Sequence, residues 1–132
     1  VPGMKLAYDT GNPAMQYDYS AAEDRTIQDP WEFYSNVKPY IEYVHIKDST
    51  RNMKTGEEEY FFAGEGEGEV RRVVKDLLDN GYDGGFSMEP HMAVVYHDSS
   101  VSSNREYRYS NFVEYGRRFM GLLEEIGHPY TA

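Results

Sequence analysis

The sequence predicts an α/β fold made of three consecutive βα units with parallel strands. Two observations carry that expectation. Short β-rich runs alternate with segments of helical periodicity, in the order strand, helix, strand, helix, strand, helix. Such alternation implies a parallel sheet with crossover helices. Each β-rich run is also followed at its C-terminal end by a long polar loop with His or acidic residues.

Met4-Lys5-Leu6-Ala7-Tyr8 is the first expected strand, and it ends at the polar Asp9-Thr10-Gly11-Asn12. Residues 13–28 read as polar and irregular. Asp29-Pro30 then starts a helix, with Asp as N-cap and Pro at the first helical position. That helix runs to about Lys38, where Pro39 stops it. The second strand is Ile41–Lys47, ending at Asp48. Residues 49–63 read as a long charged loop, and Gly64-Glu65-Gly66-Glu67-Gly68 as a glycine-spaced turn. From Glu69 onward Val70, Val73, Val74, Leu77 and Leu78 share one helical face, and Asn80-Gly81 closes the helix. Gly84–Pro90 is the third strand, residues 91–107 another long loop, and the last helix spans roughly Asn111 to Ile126.

A chain of 132 residues suits one domain. Three parallel strands leave two open edges, which are a liability, and a complete (β/α)8 barrel typically needs about 250 residues. Such barrels place their chemistry in the loops at the C-terminal ends of the strands. The expectation is therefore a single partial TIM-barrel domain over residues 1–132. Val1-Pro2-Gly3 leads almost at once into a strand without an initiating Met, so an internal start is expected.

The formal net charge of −10 argues against nucleic acid as a partner, because phosphate recognition needs a basic patch. No apolar run approaches the ~18 residues of a membrane span, and no leader is visible. Without cysteine the chain has no disulfide, thiolate ligand or cysteine nucleophile, which fits a cytoplasmic location. The thirteen tyrosines suit the aromatic walls of carbohydrate sites, although a Tyr-rich surface accounts for most of them.

Asp9, His45 and Glu89 each sit at or near the C-terminal end of a different strand. A lone strand-end Asp is usually a cap and a lone strand His usually core. Three in phase, in three consecutive units, form a mixed oxygen and nitrogen set. Such a set suits one divalent metal ion, with Mn²⁺ the first expectation and Mg²⁺, Co²⁺ or Zn²⁺ the alternatives. Asn12, Lys47, Asp48 and His91 are candidate substrate-binding residues; for Lys47 an ion pair at the mouth is an equal reading. The Gly64–Gly68 run lacks the Lys-Ser/Thr of a P-loop and carries acids, so it reads as a turn.

Asp9-Thr10-Gly11-Asn12, His45-Ile46-Lys47-Asp48, Gly64-Glu65-Gly66 and Ser87-Met88-Glu89-Pro90-His91 resemble, in order and spacing, the last four signatures of the sugar phosphate isomerase/epimerase family. That family belongs to the xylose isomerase-like barrels. The resemblance runs from about Lys5 to Ile126 and implies the C-terminal part of a (β/α)8 TIM barrel. It implies one divalent metal held by Glu, Asp, His and Glu, of which Asp9, His45 and Glu89 are the last three. The first Glu would come from an earlier strand, so the isolated chain is expected to be inactive. The implied reaction is isomerisation or epimerisation of a sugar or sugar phosphate through a metal-stabilised enediolate, with Glu89 as one catalytic proton-transfer group. Implied partners are the missing N-terminal barrel half or further copies of the chain.

A lyase reading, dehydration of a keto-sugar or inosose at the same metal site, is not separated from isomerisation by these residues. An apurinic endonuclease of the same barrel class would need a histidine where Asn12 stands and an Asp-x-His pair where Tyr60-Phe61-Phe62-Ala63 stands. A non-catalytic acidic α/β interaction module is the remaining alternative.

Overall fold

The computed structural model describes residues 2–20, 26–91 and 105–130. Its elements in chain order are β1 (Leu6–Asp9), β2 (Tyr17–Asp18), β3 (Thr26–Ile27), α1 (Pro30–Val37), β4 (Ile41–Ile46), β5 (Asp48–Arg51), β6 (Glu58–Phe61), α2 (Val70–Asp79), β7 (Gly85–Met88) and α3 (Arg105–Glu125). The three expected strands pair in parallel in the order β1-β4-β7, with β4 in the centre. Asp9 lies opposite His45, and His45 opposite Ser87. One further backbone bond extends each ladder beyond the strands: Thr10 N–H to the His45 carbonyl, 3.1 Å, and Glu89 N–H to the Ile46 carbonyl, 2.9 Å.

The helices form where the local signals place them. The Asp29 side chain accepts the N–H of Glu32 at 2.7 Å and caps α1. A 3-10 turn, Lys38–Tyr40, absorbs Pro39 before β4 begins. The Val70, Val73, Val74 and Leu77 stripe of α2 is buried, and Gly81 takes a left-handed φ of 80° just past its end. Alternation along the strands then divides the sheet into two faces. One carries Tyr8, Val44 and Ile46, which pack with Tyr34 of α1, the α2 stripe, and Tyr115, Phe119 and Leu122 of α3. The other carries Ala7, Tyr43 and Gly85 in one row and Asp9, His45 and Ser87 in the next. That second face is open among the described residues, with Ala7, Tyr43 and Gly85 exposed.

Three expectations are corrected. Residues 13–28 contain a 3-10 turn, Pro13–Met15, and the short antiparallel pair β2–β3. Residues 49–63 contain the hairpin β5–β6, in which Ser49 faces Tyr60 and Arg51 faces Glu58. Opposite charge across that pair, together with Asn52 capping the amides of Lys54 and Thr55, offsets the poor strand propensity of the glutamates. The last helix begins by Arg105 rather than Asn111. The greater part of the loop expected before it, including His97, lies outside the described residues.

Candidate metal centre

β1 and β4 bring Asp9 and His45 side by side at the end of the sheet. The extra ladder bond of Glu89 sets that residue two positions beyond Ser87, on the same face. One donor atom from each of Asp9, His45 and Glu89 can be chosen so that all lie within 4.8 Å of one another. His45 Nδ1 stands 3.5 Å from Glu89 Oε2. Two ligand bonds of about 2.0–2.2 Å through one ion reach roughly 4.4 Å at most, so donor atoms within 4.8 Å need close only slightly to hold a divalent ion. The Asp9 carboxylate is oriented by its own loop, since Oδ1 accepts the N–H groups of Gly11 (2.9 Å) and Asn12 (3.0 Å). The Tyr43 ring meets the His45 imidazole edge-on at 5.8 Å, supporting it from the row below.

Lys47 points to the same side as His45. Its Nζ lies 2.8 Å from Asp9 Oδ2 and 3.8 Å from Glu89 Oε2. Burial raises the proton affinity of Asp9 against the pull of Lys47, and neighbouring Glu89 raises it further. Glu89 is more open. Its desolvation is outweighed by contacts with Asp9, Lys47 and His91, which hold its carboxyl below the ordinary range and therefore ionised near neutral pH. His91 Nε2 is 3.5 Å from Glu89 Oε1, and its ring packs on Tyr60 at 5.0 Å. Tyr60 comes from the β5–β6 hairpin and was not among the sequence candidates. Burial and Glu58 push its hydroxyl up to about 12. The aromatic run Tyr60-Phe61-Phe62 was the signal that a segment read as loop would place a ring at the mouth.

Asp48 is arranged differently from the expected substrate contact. It is 1% exposed. Its Oδ2 accepts the N–H groups of Gly64 (2.8 Å) and Gly66 (2.9 Å), and its Oδ1 those of Gly68 (2.8 Å) and Ser49 (2.9 Å). The turn from Gly64 to Gly68 is thus wrapped around one carboxylate. Only glycine fits this wrapping: a Cβ on Gly66 would stand 2.5 Å from Asp48 Oδ1, and one on Gly68 2.6 Å from the Thr10 carbonyl. The intervening amides also point inward, Glu65 to Phe62 O (3.0 Å) and Glu67 to Ser49 O (3.1 Å). With all five amides engaged, the turn has none to offer a phosphate, in line with its reading as a turn.

Thr10 and Ser49 complete this layer. Thr10 Oγ1 donates to the Lys47 carbonyl at 2.6 Å and accepts the Lys47 N–H at 3.0 Å, while Ser49 Oγ donates to the Gly11 carbonyl at 2.7 Å. The loops after β1 and β4 and the glycine turn are therefore tied to one another beneath the site. Asn12 lies at the exposed rim and contributes its backbone N–H to Asp9.

No protein-family model, no curated protein and no solved structure matches this chain. Among the described residues no helix is long and apolar enough to cross a membrane.

Proposed function

We propose that this chain is the C-terminal part of a (β/α)8 barrel and carries three of the ligands of a divalent metal site that serves sugar isomerisation or epimerisation. The observation that carries this reading is the convergence of Asp9, His45 and Glu89 on one open sheet face. Two features of the sheet support the barrel. Its strands follow chain order without the reversal that marks a doubly wound sheet. Parallel sheets are also normally covered on both faces, and among the described residues the second face and both edges of this one are uncovered, as a piece of a barrel would leave them.

In this reading Asp9, His45 and Glu89 would hold Mn²⁺, or Mg²⁺, Co²⁺ or Zn²⁺, and a further strand of the barrel would add a fourth carboxylate. A bound ion would supply Lewis acidity to a substrate carbonyl. Glu89, ionised and half-exposed, accepts the α-proton of the sugar. Lys47 balances the carboxylate charge, and His91 with Tyr60 forms a wall against the carbon chain. The test is calorimetric titration of the chain with Mn²⁺. Binding to the wild type, lost in both Asp9→Asn and Glu89→Gln while the fold is kept, is expected. Unchanged binding in those variants would remove the metal site, and the enzymatic reading with it.

A further inference from the structure

Lys47 is 5% exposed and unusually well held for a charged side chain. Its backbone is bracketed on both sides by Thr10 Oγ1. Its stem passes over Gly11, where a Cβ would stand 3.0 Å from Lys47 Cγ and 3.2 Å from Cε. A side chain carried this way has little freedom in where it delivers its ammonium.

The point of delivery matters because of which oxygens are left. Asp9 Oδ1 is already engaged by two backbone amides, so Oδ2 is the oxygen that remains for a cation, and Lys47 Nζ lies 2.8 Å from it. Of the Glu89 oxygens, Oε1 faces His91, and Oε2 faces His45 and Lys47. The atoms best placed to ligate a metal beside His45 are the two that the ammonium faces. Two cations near the same pair of oxygens repel each other, most strongly at the Asp9 end, where Lys47 and Asp9 are both largely buried.

We propose that Lys47 is a built-in counter-cation that competes with the divalent ion for Asp9 Oδ2 and Glu89 Oε2, and so sets the affinity of the site. The inference rests on the metal-site reading. It makes a prediction opposite to that of a lysine which merely orients the ligands. An orienting lysine strengthens metal binding, and its removal weakens it. A competing lysine weakens metal binding, and its removal strengthens it while leaving two neighbouring carboxylates without a counter-charge.

The experiment is Mn²⁺ titration of the 132-residue chain as wild type, Lys47→Met and Lys47→Arg, beside thermal melts in chelator and in excess Mn²⁺. Expected is at least roughly ten-fold tighter Mn²⁺ binding in Lys47→Met, a lowered melting temperature in chelator, restoration of that temperature by Mn²⁺, and affinity near wild type in Lys47→Arg. Should Lys47→Met be unfolded in chelator, refolding by Mn²⁺ supports the proposal and failure to refold overturns it. Equal or weaker Mn²⁺ binding by Lys47→Met overturns it while leaving the metal site standing. No Mn²⁺ binding by either form sinks the metal site itself, and the competition falls with it.

Discussion

The two buried layers of this molecule are built on different physics. Under the helices, Tyr8, Val44 and Ile46 of the sheet meet valines, leucines and aromatic rings, and the contacts are almost wholly apolar. At the C-terminal ends of the strands the buried groups are Thr10, Lys47, Asp48 and Ser49, and every one has a named partner atom. Apolar burial is non-directional and tolerates exchange of like volumes. A buried hydrogen-bond network is directional and fails when one member is removed. The difference teaches that both layers hold the chain together, but that the site geometry rests on the second, which decides where Asp9, His45 and Glu89 stand.

The sharpest way to break that comparison is to injure each layer once. Asp48→Ala leaves the buried or part-buried amides of Ser49, Gly64, Gly66 and Gly68 without their side-chain acceptor. At about 1–3 kcal/mol per unsatisfied group, partly relieved by water, the loss is on the order of 4 kcal/mol. Ile46→Ala opens a cavity under the helices and costs about 3 kcal/mol. Urea denaturation measures both. Mn²⁺ titration at a temperature where both are folded then separates them: Asp48→Ala is expected to lose metal affinity and Ile46→Ala to keep it. Affinity falling in both in proportion to stability would show that the layers are one.

The apolar layer was the legible one. The i, i+3, i+4 spacing of the α2 valines and leucines, the Asp29-Pro30 start and the three β-rich runs are local signals, and each produced its element. The strand-end candidates Asp9, His45 and Glu89 were legible because strand termini and phase can be counted along the chain. The β5–β6 hairpin was not, since Glu57-Glu58-Glu59 resembles a solvated loop until Arg51 and Thr50 are placed opposite. Nor was the role of Asp48. Nothing in the sequence says that a carboxylate will be met by three alternate glycine amides 16 to 20 residues away.

A smaller effect lies where α1 meets α2. Asp76 accepts the Tyr34 hydroxyl (2.6 Å) and pairs with Lys38 Nζ (2.5 Å). Desolvation raises the proton affinity of its carboxyl, but the contacts with Lys38 and Tyr34 together outweigh it and hold the carboxyl below the ordinary range. A depressed folded-state pKa stabilises the fold above the unfolded value of about 3.9 and is lost as pH falls through the folded value. Wild type is therefore expected to lose stability below about pH 5 more steeply than Asp76→Asn, with the two curves drawing together at the acid end. Urea midpoints measured from neutral to acid pH check this. Parallel curves would mean that Asp76 carries no linked proton.

The smallest expected effect compares two tyrosines whose rings lie 5.7 Å apart in the apolar layer. Both are buried, and burial raises the pKa of both hydroxyls. Tyr34 has its hydroxyl on Asp76. The Tyr8 hydroxyl is buried with no hydrogen-bond partner among the described residues. A buried bond to a charged acceptor contributes about 1.5–3 kcal/mol, whereas an unpartnered hydroxyl contributes only its desolvation cost. Tyr34→Phe is thus expected to destabilise by about 1.5 kcal/mol, and Tyr8→Phe to leave stability unchanged or raise it by up to ~1 kcal/mol. The double variant locates the origin of the difference. Additivity is expected, because the two hydroxyls share no partner even though the rings touch. A loss in Tyr8→Phe equal to that in Tyr34→Phe would mean that the Tyr8 hydroxyl has found an acceptor, and that a polar group reaches into the layer under the helices.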